Sequence, residues 1–282
     1  MSAGPVILLG GQRCGTTALA YALSQAFHGA GGHFTVNGKL PYLLHRWLGK
    51  DDLAHRHLRA DEILHALDRR APDGSGVAVW RERVERSLRR AAVEVAEGAA
   101  GDDPTALARR ILAESAGDTP HWGDKYNEYL LHLPYLDEVL PEARYIMLVR
   151  HPEEAARSML KWTGDRPWLP ETRESALAKW TSWNGRWLDF APSVPAERRL
   201  VIEYHALCRG EETERLERFT RLPLGPFLGS LRPRSAAALH TVDLPPRTAE
   251  TWSRFIREAG PEQAVRIDGE AACRIPTTTN TR

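Results

Sequence analysis

Cysteine is scarce in this chain. The three among its 282 residues, Cys14, Cys208 and Cys273, are far apart and form no C-x-x-C pair. Neither a disulfide framework nor a zinc site follows from such spacing, and a reducing compartment fits it best. Long apolar runs are also missing. The longest near the start, Val6 to Leu9, is far too short for the apolar stretch of a signal peptide or for a membrane span. No charge dominates either, with 38 Lys+Arg against 37 Asp+Glu. That balance argues against a globally basic nucleic-acid binder and leaves room for a local basic pocket. Internal repeats and an obvious linker are absent as well. Together the absences predict a soluble, cytoplasmic protein with no membrane insertion and no nucleic-acid partner. Its length is enough to bury a full core. The chain reads as one α/β domain over residues 1–260, with a helical insertion at about 51–117 and a flexible tail over 261–282.

What is present is a series of short apolar runs between helical stretches. Val6-Ile7-Leu8-Leu9, ending in Gly10-Gly11, has the continuous apolar text of a parallel strand buried on both faces. Arg144 to Val149 (RYIMLV) is a second such strand, Leu200 to Tyr204 (LVIEY) a third, and His33 to Val36 a further short one. Helix formers fill Thr16 to Phe27, stopped by Gly29 to Gly32. Val84, Leu88, Ala91, Ala92 and Val95 recur at helical spacing, and Asp103-Pro104 supplies a cap and first turn for Thr105 to Glu114. Pro152-Glu153-Glu154 opens another helix, and Ser175 to Phe190 and Thr248 to Ala259 read as two more, with Gly225 to Pro246 as loop. Strands alternating with helices predict a P-loop-like parallel β-sheet flanked by helices, the insertion lying over its carboxyl edge as a lid.

The stretch GGQRCGTT runs from the first strand into a helix. Such a loop aims successive backbone N–H groups and the helix dipole at one point, where anions bind. Gly10, four residues and Gly15 match the spacing of a nucleotide triphosphatase loop, but Thr16-Thr17 follows where that loop carries Lys-Thr. The nearest cation is instead Arg13, a fixed donor fork that cannot lose its proton. The competing reading is that the same glycines make a plain strand-to-helix turn with Arg13 solvated. Farther on, Arg150 ends a buried strand and Ser158 stands two turns into the next helix. Ligands of open parallel sheets sit at the carboxyl edge, so this pair could hold a phosphate by charge and by hydroxyl. The competing reading is a salt bridge from Arg150 to Glu153 or Glu154, with Ser158 an ordinary helix residue.

RCGTT at Arg13 to Thr17 and RHPEEAARS at Arg150 to Ser158 together resemble two signatures of the sulfotransferases that use 3′-phosphoadenosine 5′-phosphosulfate (PAPS). Those enzymes carry a [K/R]-x-G-T-T loop after the first strand, and a strand ending in Arg with a Ser eight residues on. GDKYNEY at Gly123 to Tyr129 is similar to the dKtPxY segment of the carbohydrate-type and bacterial members. VIEYHAL at Val201 to Leu207 is similar to their vrYEdL strand but lacks its acids. The resemblance covers roughly residues 5–30 and 120–225. It implies that Gln12, Arg13, Cys14, Gly15, Thr16, Thr17 and Ala18 hold the 5′-phosphosulfate, and that Arg150, Ser158, Arg232 and Arg234 hold the 3′-phosphate. It also implies transfer of a sulfuryl group to a hydroxyl of a sugar or other small-molecule acceptor, such as a secondary metabolite. Arg13 and Lys125 would stabilise the charge, without a metal. The alternatives are a magnesium-dependent kinase or ATPase, or a non-catalytic nucleotide-binding protein.

Attack by a hydroxyl is helped by a general base. Related carbohydrate-type enzymes often place a glutamate after a lysine shortly beyond the first helix, whereas here Lys39 is followed by Leu40. The candidates are then His33, His45, His121 and Asp124. His33 is favoured because a neutral imidazole titrates in a useful range, while Lys125 beside Asp124 would make that carboxylate a weaker base. An acceptor that ionises easily would need less help. Trp162, Trp168, Trp180, Trp183 and Trp187 follow the second signature and could stack on adenine or line an acceptor pocket. The spacing of the last three also suits core packing.

Overall fold

The computed structural model describes residues 4–163, 169–232 and 243–260. Its strands are β1 (Val6–Leu9), β2 (His33–Val36), β3 (Trp122–Lys125), β4 (Arg144–Val149) and β5 (Arg199–Glu203). They form one parallel sheet in the order β2-β3-β1-β4-β5. Every carboxyl end therefore opens on the same rim, with β1 at its centre.

Helix α1 (Thr16–Gly29) joins β1 to β2. Between β2 and β3 come α2 (Leu40–Trp47), α3 (Lys50–Ala54), α4 (Ala60–Arg69), α5 (Val77–Glu97) and α6 (Pro104–Ala116). A 3₁₀ turn (Asn127–Leu131) and α7 (Leu133–Val139) lead to β4, and α8 (Pro152–Leu160) and α9 (Arg173–Phe190) to β5. The remainder is α10 (Tyr204–Cys208), α11 (Thr213–Thr220), α12 (Gly225–Leu228) and α13 (Pro246–Ala259). This is the α/β class that the alternation of strands and helices predicts.

Local chemistry sets several boundaries. Asp103 caps α6 by accepting from the Thr105 N–H (2.8 Å), and Thr172 does the same for Ser175 at the start of α9 (3.1 Å). Strand β3 has no counterpart among the predicted strands. Its Gly123 packs so tightly that a Cβ would lie 2.3 Å from the Val6 carbonyl oxygen and 2.5 Å from the Phe34 ring. Close backbone approach thus replaces the apolar text by which a strand is usually read. The segment read as loop from Gly225 contains α12, and Pro246 opens α13. Residues 233–242 and the tail 261–282 lie outside the described residues.

Successive residues of β1 point to opposite faces and into two cores. Val6 and Leu8 pack with Leu19, Leu23 and Phe27 of α1. Ile7 and Leu9 join a larger cluster that also takes Ile63, Leu67, Val84, Leu88 and Ile111 from the helices between β2 and β3. The helical insertion is thereby welded to one face of the sheet. Lys39 adds a polar strut. Buried just past β2, its ammonium donates to the carbonyls of Ala66 (2.7 Å) and Arg70 (3.0 Å) at the end of α4. Replacing it (Lys39→Met) strips both carbonyls of their donor. Denaturant unfolding should then show a loss of about 1–3 kcal/mol.

Candidate functional site

The loop after β1 is shaped by two left-handed residues, Arg13 (φ 66°) and Gly15 (φ 95°). Gly15 cannot be replaced cheaply, since a Cβ there would also stand 2.6 Å from the Tyr204 ring. The Cys14 N–H returns to the Gly11 carbonyl (3.3 Å), and those of Ala18 and Leu19 to Gly15 (3.1 and 3.3 Å). The N–H groups of Thr16 and Thr17 have no backbone partner among the described residues, as expected of the opening turn of α1. Thr17 and Ala18 are exposed at this turn, while Thr16 is buried. Burial pushes the Cys14 thiol up to about 11, so this residue offers a ligand its backbone and no thiolate. Gln12 is buried with its Oε1 unpartnered.

Because β1 lies between β3 and β4, the loop is flanked by what those two strands carry at their carboxyl ends. On one side stands Lys125, the last residue of β3. Its Nζ donates to Asn37 Oδ1 (3.1 Å) and Thr17 Oγ1 (3.4 Å). Burial pulls its ammonium down to about 8. Asn127, two residues on, donates its amide to the Gly10 carbonyl (3.1 Å).

On the other side stands Arg150. Its Nη1 donates to the Arg13 carbonyl (3.3 Å), its Nε to Glu154 Oε2 (2.8 Å), and its Cζ lies 4.5 Å from the centre of the Tyr204 ring. Glu154 also bonds His205 Nε2 (2.8 Å). Burial alone would push the Glu154 carboxyl up, but His205 and Arg150 win and hold it below its ordinary value. Glu154 in turn raises the His205 imidazole. The Arg13 Nε donates to Ser158 Oγ (3.0 Å), and its guanidinium lies over Trp162 at 4.7 Å. The Arg150–Glu154 salt bridge thus exists, and Ser158 is at the same time a partner of the loop. Arg13, Thr17, Lys125, Arg150 and Ser158 all meet at the centre of the rim.

Other predicted residues are not brought there. His33 is the first residue of β2, three residues before Val36, which pairs in register with Lys125. That separates it from the rim by roughly 10 Å of strand. Its N–H is bonded to the His121 carbonyl (3.1 Å), so His121 also belongs to the opposite end. His45 is exposed on α2, its ring 4.7 Å from His132 and 4.2 Å from Tyr135. Asp124 is wholly buried and accepts five hydrogen bonds, from Thr35, Gly38, Lys39, Lys125 and Tyr129. Arg232 is exposed and donates to the carbonyls of Gly229 (2.7 Å) and Leu231 (2.8 Å). Arg234 and Trp168 lie outside the described residues. Trp180 and Trp187 are core residues, and the Trp180 Nε1 anchors the Arg150 carbonyl (3.1 Å). The rim also gathers Asn37, Asn127, Tyr204 and His205, which the sequence reading did not single out, and Glu154, which it named only as a salt-bridge partner of Arg150. For Asn37 and Tyr204 a signal was available, since each directly follows a strand.

A parallel sheet whose central strand opens into such a loop, with a lysine and an arginine brought in from the two neighbouring strands, defines an α/β protein with cations on both sides of a strand-to-helix loop. A profile of the sulfotransferase family matches residues 5–226, and the chain belongs to that family. Among solved structures it is similar to the sulfotransferase domain of the olefin synthase from Synechococcus PCC 7002. That match has a TM-score of 0.52 and 19% identity over 96% of this chain and 95% of that one. Two further resemblances are weaker. The sulfotransferase domain from the curacin biosynthetic pathway gives a TM-score of 0.46 and 16% identity, covering 97% of this chain and 99% of that one. Sulfotransferase STF9 from Mycobacterium avium gives 0.42 and 16%, covering 100% and 79%. No curated protein compared with the sequence matches it. Among the described residues no helix is long and apolar enough to cross a membrane. None of their His, Cys, Asp and Glu side chains gather in a group of three or more that could hold a metal ion.

The position of His33 has a consequence for stability. Burial, with Arg83 nearby, brings its imidazole down to about 4 from 6.5. An unfolded chain takes up the proton near 6.5 while the folded one resists it, so the stabilisation is complete above 6.5 and is lost as pH falls to about 4. That loss amounts to about 3 kcal/mol. Denaturant unfolding of the wild type and His33→Gln across this range should show the difference between them shifting by that amount. A constant difference would contradict the assignment.

Proposed function

We propose that this protein is a PAPS-dependent sulfotransferase that moves a sulfuryl group to a hydroxyl of a small-molecule acceptor. One observation carries the reading. The two signatures, at Arg13 to Thr17 and Arg150 to Ser158, touch each other at the rim through the Arg13–Ser158 and Arg150–Arg13 hydrogen bonds. A doubly anionic nucleotide would find a grip for each of its ends there. Bound at this rim, the donor would supply an activated sulfuryl group.

In this reading the N–H groups of Thr16 and Thr17 and the Thr17 hydroxyl hold the 5′ end. Arg13 and Lys125 approach from either side to stabilise charge growing on the phosphate that departs. Arg150 and Ser158 hold the 3′-phosphate by charge and by hydroxyl. The unpartnered Oε1 of Gln12 and the close approach of Gly15 to Tyr204 fit a loop moulded around a ligand. A sulfuryl group carries less negative charge than a γ-phosphoryl group, so these donors suffice without a metal. Half-exposed Tyr42, its ring 5.2 Å from that of Tyr126 and 5.6 Å from that of His132, forms with them a wall for the acceptor to lie against.

Saturating 3′,5′-ADP should raise the unfolding free energy equally in magnesium and in chelator, by about 2.7 kcal/mol at a hundredfold excess over Kd. Stabilisation that appears with ATP and magnesium and not with 3′,5′-ADP would favour a kinase instead. With PAPS as donor, Arg13→Ala and Lys125→Ala should each cost transfer on the order of 100-fold or more. Turnover untouched by either substitution would overturn these roles.

A further inference from the structure

The proposed transfer needs a group to take the acceptor's proton, and the positions considered from sequence do not provide one at the rim. Leu40 is a buried apolar side chain at 1% exposure, so the place after Lys39 holds no acid. His33 and His121 belong to the opposite end of the sheet. Asp124 has both oxygens filled by donors. His45, on α2, lies edge-on to His132 and tilted against Tyr135.

Glu128 meets the requirement. It lies in the 3₁₀ turn Asn127–Leu131, three residues past Lys125 and on the rim side of β3. Both of its neighbours are clamped. Asn127 is bonded to the Gly10 carbonyl at the root of the loop, and the Tyr129 hydroxyl to Asp124. The turn is thus fixed to the loop and to the end of β3 at once, while Glu128 itself is half-exposed and accessible to a small molecule. Its charge reaches ammonium groups on three separate elements, namely Lys39 before α2, Lys125 on β3 and Lys179 on α9. The Tyr126 and Tyr129 phenols, pushed up chiefly by burial, also feel it.

The geometry points to Glu128 as the general base of the transfer. This inference rests on the donor reading above. In the step, the acceptor O–H proton passes to the Glu128 carboxylate as the oxygen attacks sulfur. The new O–S bond forms while the bridging S–O bond to the 5′-phosphate breaks, and its electron pair leaves on the phosphate of 3′,5′-ADP beside Lys125 and Arg13. Glu128 then returns its proton to solvent, to which it is open.

A base can be told from a structural residue by how much its loss depends on the acceptor's own acidity. Release of 3′,5′-ADP from PAPS would be followed with water as acceptor and with p-nitrophenol, largely ionised in mildly alkaline buffer, for the wild type, Glu128→Gln and Glu128→Asp. Glu128→Gln should slow transfer to water on the order of 100-fold or more, slow transfer to p-nitrophenol only several-fold, and leave 3′,5′-ADP binding unchanged. Glu128→Asp should recover part of the water reaction. Equal losses with both acceptors, or none with either while the nucleotide still binds, would overturn the base and leave the donor reading standing. A wild-type protein that does not bind 3′,5′-ADP overturns both.

Discussion

Asp124 is taken wholly out of water, and a carboxylate so placed is very costly unless donors replace its lost hydration. Five do so, and they come from four parts of the chain: Thr35 on β2, the Gly38 and Lys39 N–H groups of the next turn, Lys125 on β3, and Tyr129 in the 3₁₀ turn. Burial pushes this acid up while the donors oppose it. The consequence is geometric. One side chain fixes where β2 ends, where Lys39 turns toward α4, where Lys125 enters the rim and where Glu128 stands. Any change that loosens Asp124 would move the lysine and the proposed base together.

The other flank is held by a different device. Arg150 is gripped by Glu154, which is itself shared with His205, and its carbonyl is pinned by the core residue Trp180. An arginine tied in this way loses little side-chain freedom on meeting a ligand, and that favours affinity. Its further bond to the Arg13 carbonyl joins the second signature to the loop. The two cationic sides of the rim are thus built on separate supports, with the loop as their common floor.

Much of this was legible in the residues. Continuous apolar runs marked β1 and β4, because parallel strands buried on both faces leave no polar alternation. The spacing of glycines and threonines marked the loop, and the resemblance of Arg13 to Thr17 and Arg150 to Ser158 named the family that the profile match assigns. Strand β3 was hidden because its text, Trp-Gly-Asp-Lys, has glycine where backbone must approach Phe34 and charge where the site begins. For His33 the sequence offered a titratable ring beside a strand, but direction along the strand decides which end a residue serves. Asn37 follows a strand, and Asn127 and Glu128 fall within the GDKYNEY segment, but nothing in the sequence gave any of the three a role. They matter through what β3 brings near them.

By itself the sequence determined the class of fold, the loop and which charged groups stand near strand ends, since periodicity, turn chemistry and charge are local properties. Tertiary structure decided which of those groups face one another. The order β2-β3-β1-β4-β5 sets Lys125 and Arg150 on either side of the loop, and Asp124 spends its hydrogen bonds on the scaffold and not on chemistry. Such pairings come from packing between segments distant in sequence, like the 85 residues that separate Lys39 from Asp124 and the 137 that separate Arg13 from Arg150. No short-range pattern encodes them.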